Sequence, residues 1–201
     1  MIPIETCEPF FKYMREYVNL DHDTMDLIAA YTGEIKFPPK HIILREGDKC
    51  DKVYFVVSGL SRSYYTDFSG KTITWGFQFN NENSATRNLF AVDYRAFLSN
   101  LPSVLTIETF TELKTLTFSR AQVTYLIENC VIYENWIRKI DEVAYRYMFE
   151  RAFSLLTMSA KDRYDKLLKD EPHLLQMFSN YYIASYIGIA PQSLSRIRTL
   201  R

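Results

Sequence analysis

The chain has no net charge: its 24 Lys and Arg are matched by 24 Asp and Glu over 201 residues. No whole-chain field therefore draws it toward nucleic acid or an anionic membrane. It is poor in cysteine. Cys7, Cys50 and Cys130 are odd in number, far apart and without a CxxC pair, which argues against a disulfide framework, a zinc site or a four-cysteine iron–sulfur cluster. Reduced, structural thiols are expected. Histidine is equally scarce, and His22, His41 and His173 have no ligand spacing. Without a His-x-His and a downstream carboxylate and His, a cupin-type metalloenzyme is not supported; the chain is read as a non-enzyme without metal or cofactor. No apolar run approaches the roughly 18–20 residues a membrane span needs. The opening MIPIETCEPFFKYMREY lacks a basic region followed by an apolar stretch, so no signal peptide is read there and a cytoplasmic location is expected. There is no internal repeat and no low-complexity segment.

Aromatic residues, by contrast, are plentiful at 15%, with 15 Tyr and 14 Phe. That richness favours packed strands and interfaces over disorder. The length suits one large domain or two small ones. Three textures follow one another. An opening helical segment is expected from about Glu8 to Tyr31, with Asp21 and Asp23 placed as helix caps. From Glu34 to about Thr117 the pattern turns to short strands: 41–44, 53–57, 60–65, 72–79, 104–110 and 113–118. Gly47, Gly59 and Gly70 mark the turns between them, and the stretch between 79 and 104 reads as irregular. Many short strands with Gly-bearing turns read as a jelly-roll-like roll or sandwich. From Ser119 the chain is helical, opening with the capping-box sequence Ser119-Arg120-Ala121-Gln122. A long helix is expected from about Ile132 to Met158. Its apolar stripe, with Trp136, Ile140, Val143 and Tyr147, predicts burial against a second copy.

The densest pattern runs from Asn180 to Arg198. A helix-turn-helix needs a small residue where its two helices touch, and Ala184 stands there; it needs a turn residue tolerant of positive φ, and Gly188 follows four residues later. Ile183, Ile187, Ile189, Leu194 and Ile197 supply a small core. Pro191 falls in the first turn of the second helix, where a missing N–H costs nothing. The second helix then exposes Gln192, Ser193, Ser195 and Arg196, with Gln suited to adenine and Arg to guanine in the major groove. Ser179, as N-cap of the first helix, and Arg198 are placed against the phosphate backbone. After Pro172 the charged residues are Arg196, Arg198 and Arg201, with no acid among them: a basic tip on a neutral body.

With that motif behind a strand-rich region and a long helix, the chain resembles the cyclic-AMP receptor protein and fumarate–nitrate regulator (Crp/Fnr) superfamily of bacterial regulators. The resemblance rests on Phe37–Asp48 (FPPKHIILREGD), on Val53–Gly59 (VYFVVSG), on Gly70-Lys71 and on the C-terminal motif. It implies an α+β chain: a cyclic-nucleotide-binding-like β-roll over 1–118, connecting and dimerisation helices over 119–158, and a winged-helix-like helix-turn-helix over 159–201. It also implies a homodimer on a pseudo-palindromic DNA operator, RNA polymerase as a further partner, and a small-molecule effector of unknown identity.

The departures matter as much. Family members that bind cyclic nucleotides carry a Gly-Glu pair and an Arg followed by Ser or Thr around the phosphate. Here Glu82 can be matched but its glycine cannot, and Pro102 stands where the Arg is expected, before Ser103. Arg87 or Arg95 would have to substitute, so no response to cyclic AMP is expected. The cysteines of the oxygen-sensing branch are absent, which speaks against an iron–sulfur sensor. Residues 145–153, where the family's long helix faces its ligand, offer aromatic and aliphatic surface. The sequence ends at Arg201, so the family's β-hairpin wing is expected to be missing or to precede the motif. The alternative reading is a ligand-sensing module of the same fold that has lost DNA binding.

Overall fold

The computed structural model describes residues 2–199. The opening segment is not one helix. A 3-10 turn at Ile4–Cys7 leads into α1 (Glu8–Met14), and α2 (His22–Ala30) begins afresh after a break. Asp21 sets that second start, its carboxylate accepting from the Thr24 N–H at 2.8 Å.

Eight strands follow among the described residues: β1 (Gly33–Phe37), β2 (Ile42–Leu44), β3 (Lys52–Ser58), β4 (Ser61–Thr66), β5 (Thr72–Gln78), β6 (Phe90–Ala91), β7 (Thr106–Thr109) and β8 (Leu113–Ser119). They form two antiparallel four-stranded sheets, in the orders β1-β8-β3-β6 and β2-β7-β4-β5. Phe55 and Val56 on β3 and Leu113, Leu116 and Phe118 on β8 supply buried side chains to the core. Two glycines fix turns. Gly59 has φ +101°, and a Cβ there would lie 2.1 Å from the Glu112 carbonyl oxygen, so no side chain fits. Gly70, at φ +81°, closes the β4–β5 hairpin, where the Asp67 carboxylate accepts from the Ser69 and Lys71 N–H groups.

β1 and β6 were not expected as strands. GEIKF is too short and too charged to declare itself beside Pro38 and Pro39; its pairing with β8 makes it a strand. Likewise α3 (Thr86–Leu89) and α4 (Tyr94–Ser99) lie in the stretch read as irregular. Behind the roll come α5 (Arg120–Asn129), opened by the Ser119–Gln122 capping box, and the 27-residue α6 (Val131–Thr157). The chain then turns through α7 (Ala160–Asp170), α8 (Leu174–Met177), α9 (Asn180–Tyr186) and α10 (Pro191–Thr199).

Two apolar cores hold these parts. In the first, α1 is a wedge between the roll and α6: the Phe10 ring lies 5.1 Å from Phe55 and 5.2 Å from Trp136. In the second, β5 packs against the C-terminal helices, with Phe77 stacked on Phe178 at 4.0 Å and Ile183, Ala184, Tyr186 and Leu194 buried around it. β5 is an edge strand, and α9 covers its edge. The Ser185 hydroxyl accepts from the Thr74 N–H at 2.7 Å and donates to the Thr72 carbonyl, satisfying groups an open edge would expose.

Candidate nucleic-acid interface and the cavity behind it

α9 and α10 meet around a turn in which Gly188 has φ +70° and Ile189 donates to the Ala184 carbonyl at 2.9 Å. Ile183, Ala184, Ile187, Ile189 and Leu194 are buried there. The turn is braced by a residue the sequence did not single out. Arg163 on α7 donates to the carbonyls of Ile187 (2.8 Å), Gly188 (3.2 Å) and Met158 (2.6 Å), capping the C-terminal ends of two helices with one cation. Nothing in the sequence marks Arg163 apart from the other basic residues of a charged helix.

With Leu194 turned inward, Gln192, Ser195, Arg196 and Arg198 stand exposed along α10, and Ser193 is half-buried. Ser179 is the N-cap of α9, is exposed, and makes no side-chain cap bond. Arg201 lies outside the described residues. Between Ser159 and Thr199 the described residues include no strand, so no wing accompanies the motif there.

A cavity of about 930 Å³ opens between the roll and α6, walled by Tyr13, Trp75, Phe77, Tyr147 and Tyr186 with polar groups between them. The four residues expected at a ligand do not come together. Glu82 lines the mouth and is exposed, and Arg87 lines the wall. Arg95 is elsewhere, donating to the Pro102 carbonyl at 2.8 Å. Ser103 is buried, and its hydroxyl bonds the Asp93 carboxylate at 2.9 Å. The same carboxylate accepts from the N–H groups of Ala96 and Val104, each at 3.0 Å. The Ser103 hydroxyl expected near a cyclic phosphate is thus held by an acid of the chain itself.

Arg87 pairs instead with Glu171 at the end of α7, 2.6 Å away. Burial works against its charge, but the adjacent carboxylate more than offsets this and holds its pKa above the ordinary arginine value. The Tyr186 hydroxyl donates to the same Glu171 at 3.2 Å, and Tyr147 lies within 3.2 Å of Tyr186 through their hydroxyls. Arg151 on α6 donates to the Tyr186 and Thr74 carbonyls. One polar network therefore joins roll, long helix and C-terminal helices. Among the described residues no group of three His, Cys, Asp or Glu side chains could hold a metal ion.

Residues 34–130 match the family model described as Cyclic nucleotide-binding domain. Over those residues the chain is similar to a cyclic nucleotide-binding domain, and it shares its fold with solved bacterial regulators. The c-di-GMP-responsive global regulator CLP of Xanthomonas campestris superposes with a TM-score of 0.66 at 17% identity, covering 90% of this chain and 91% of its own. FixK2 of Bradyrhizobium japonicum gives 0.69 at 17%, covering 84% and 83%. The catabolite activator protein of Thermus thermophilus gives 0.55 at 17%, covering 90% and 84%. No curated protein matches the chain.

In this fold the stripe expected at a dimer seam lies elsewhere. Trp136 and Ile140 are 2% and 3% exposed within the chain's own core, and Val143 and Tyr147 face the cavity. Because α1 and the roll already cover that side of α6, little of it remains to meet a second copy. The open apolar face is different: Tyr145, Phe149, Phe153 and Leu156, spaced by four, four and three residues, are 73%, 62%, 55% and 85% exposed. Among the described residues no helix is long and apolar enough to cross a membrane.

Proposed function

We propose that the chain is a sequence-specific DNA-binding transcriptional regulator of the Crp/Fnr type, acting in the cytoplasm as a homodimer. The observation that carries this reading is the polar, acid-free outer face of α10, propped by Leu194 on a docked α9. Gln192, Ser193, Ser195 and Arg196 then read base edges, while Ser179 and Arg198 hold phosphates. Dimerisation is assigned to the open face of α6 around Phe149 and Phe153. Two recognition helices would then enter successive major grooves about one helical turn apart on a pseudo-palindromic operator, with RNA polymerase as the downstream partner. Selection from random duplexes, followed by band shifts, should return a two-fold-related consensus; recovery of no consensus at all would overturn the reading.

The cavity between roll and α6 is the effector site in this reading, and its ligand is not cyclic AMP. The support is Asp93, whose carboxylate already holds Ser103 and the Val104 N–H, together with Pro102 in place of a cation. Lack of a charge-assisted pair to the phosphate costs about 2–5 kcal/mol, a loss of roughly 30-fold to several-thousand-fold that carries a micromolar ligand toward the millimolar range. Calorimetry at a few hundred micromolar cyclic AMP should show no saturable heat, and a low-micromolar isotherm would reverse the conclusion.

A further inference from the structure

What the cavity between roll and α6 can hold depends on the charges and hydrogen-bonding groups it leaves available. Four charged residues line it. Lys12, Glu16 and Glu82 are exposed, where water screens them. Arg87 is the one charged residue of the inner wall among the described residues, and its charge is already matched by Glu171. That carboxylate lies on the other side of Arg87, where it lines a second cavity of about 280 Å³ and not the larger one. The next cation, Arg151, stacks on Trp75 and Tyr186 and lines only the smaller cavity. Its Nη1 and Nη2 groups donate to the Tyr147 hydroxyl and to the Thr74 and Tyr186 carbonyls, and its Nε–H is buried without an acceptor.

Most polar groups of the wall are also engaged within the chain. The Gln78 amide bonds Ser61 and Ser63, the Asn80 amide donates to the Val56 carbonyl, and the Asn88 amide donates to the Phe77 carbonyl. Thr86 is held between the hydroxyls of Tyr13 and Tyr17.

We infer that the cavity takes an uncharged ligand with an apolar ring body, and that Glu171 sets this preference by neutralising Arg87 from behind. An anion would leave water without gaining an unmatched cation, and a cation would meet the Arg87 guanidinium; each bears a desolvation cost a neutral molecule avoids. Aromatic walls at Trp75, Phe77 and Tyr147 suit a ring body. Because Glu171 belongs to the C-terminal helices, ligand selectivity in the roll depends on those helices staying docked. The inference rests on the effector-site reading above, but its test needs no DNA.

Phenylacetamide, phenylacetate and phenethylamine share a ring and a chain length and differ in charge near neutral pH. Titrated against the full chain by ligand-observed NMR, the amide should bind at least about tenfold more tightly than either ion, the equivalent of about 1.4 kcal/mol. Glu171→Gln leaves Arg87 unmatched, so phenylacetate should gain about tenfold on the amide and close the gap. Arg87→Gln leaves Glu171 unmatched, and phenethylamine should be the probe that gains. Far-UV circular dichroism confirms that each variant is folded, and the wild-type ranking stands without either. Phenylacetate binding as tightly as the amide to wild type, no binding by any of the three at low-millimolar concentration, or unchanged relative affinities in both folded variants would overturn the inference. A protein that shows this ranking yet selects no DNA would lose the regulator reading and keep this one.

Discussion

The two halves of α6 are built from the same kinds of residue and do opposite things. Tyr133, Trp136 and Ile140 in the first half are closed over by α1 and the roll, whereas Tyr145, Phe149, Phe153 and Leu156 in the second half stand open. Both sets repeat every three or four residues, so both read as apolar stripes. What separates them is α1. Its Phe10 and Tyr13 rings lie 5.2 and 6.1 Å from Trp136 and cover the first stripe, and among the described residues no element covers the second in the same way. A stripe therefore announces that a helix face will be buried, without saying whether the cover comes from the same chain or another.

The largest effect expected from breaking this contrast is at Trp136. Trp136→Ala removes the ring that Phe10, Tyr13, Phe90 and Tyr133 all pack against, and should cost about 3–5 kcal/mol in chemical denaturation. A loss below about 1 kcal/mol would show that this half of the helix is not core. In the open half, Phe149→Glu together with Phe153→Glu should behave in reverse. Sedimentation should report a monomer, because like charges would meet across the seam. The stability of that monomer should change by no more than about 0.5 kcal/mol, as for other surface sites. A persisting dimer would move the interface off this face.

Smaller effects are expected at the far end of the chain. Arg196→Ala should cost about 1–3 kcal/mol of specific binding and relax preference at one base position; an unchanged consensus and affinity would remove Arg196 from the readers. The smallest concerns His173, whose ring lies 5.6 Å from Phe79 at the edge of the second core. Burial lowers its pKa below the usual 6.5, with Arg87 lowering and Glu171 raising it. The unfolded chain therefore takes up this proton first as pH falls, so the contribution is full above about pH 6.5 and is lost as pH drops toward the folded pKa. Thermal melts between pH 7 and 5 should show a shallow loss of stability that His173→Gln makes shallower still, and an identical slope in the variant would assign the loss to other groups.

Much of this was legible residue by residue. The strands with alternating or continuous apolar runs, the turns at Gly47, Gly59 and Gly70, the Ser119 capping box and the two helices around Gly188 all carry their signals within a few positions. β1 and β6 did not, because a five-residue strand such as GEIKF and a two-residue strand such as Phe90-Ala91 gain their geometry from β8 and β3. The ligand residues were the least legible. Matching Glu82 and Ser103 by position placed one at the mouth and the other under Asp93, since a loop's path cannot be read from its spacing. Arg87 gave no hint that its partner would be Glu171, 84 residues further along the chain.

The sequence by itself determined what is local: which segments coil or extend, where the chain turns, and which face of α10 is polar, because helix and strand periodicity, caps and positive-φ glycines act over a few residues. Only the tertiary structure decided which stripe of α6 stays open, that α9 covers the edge of β5 through Ser185, and that Arg87 is neutralised from the C-terminal helices. Those outcomes depend on elements far apart in sequence competing for the same surface, and burial and charge pairing are settled by which of them arrives there.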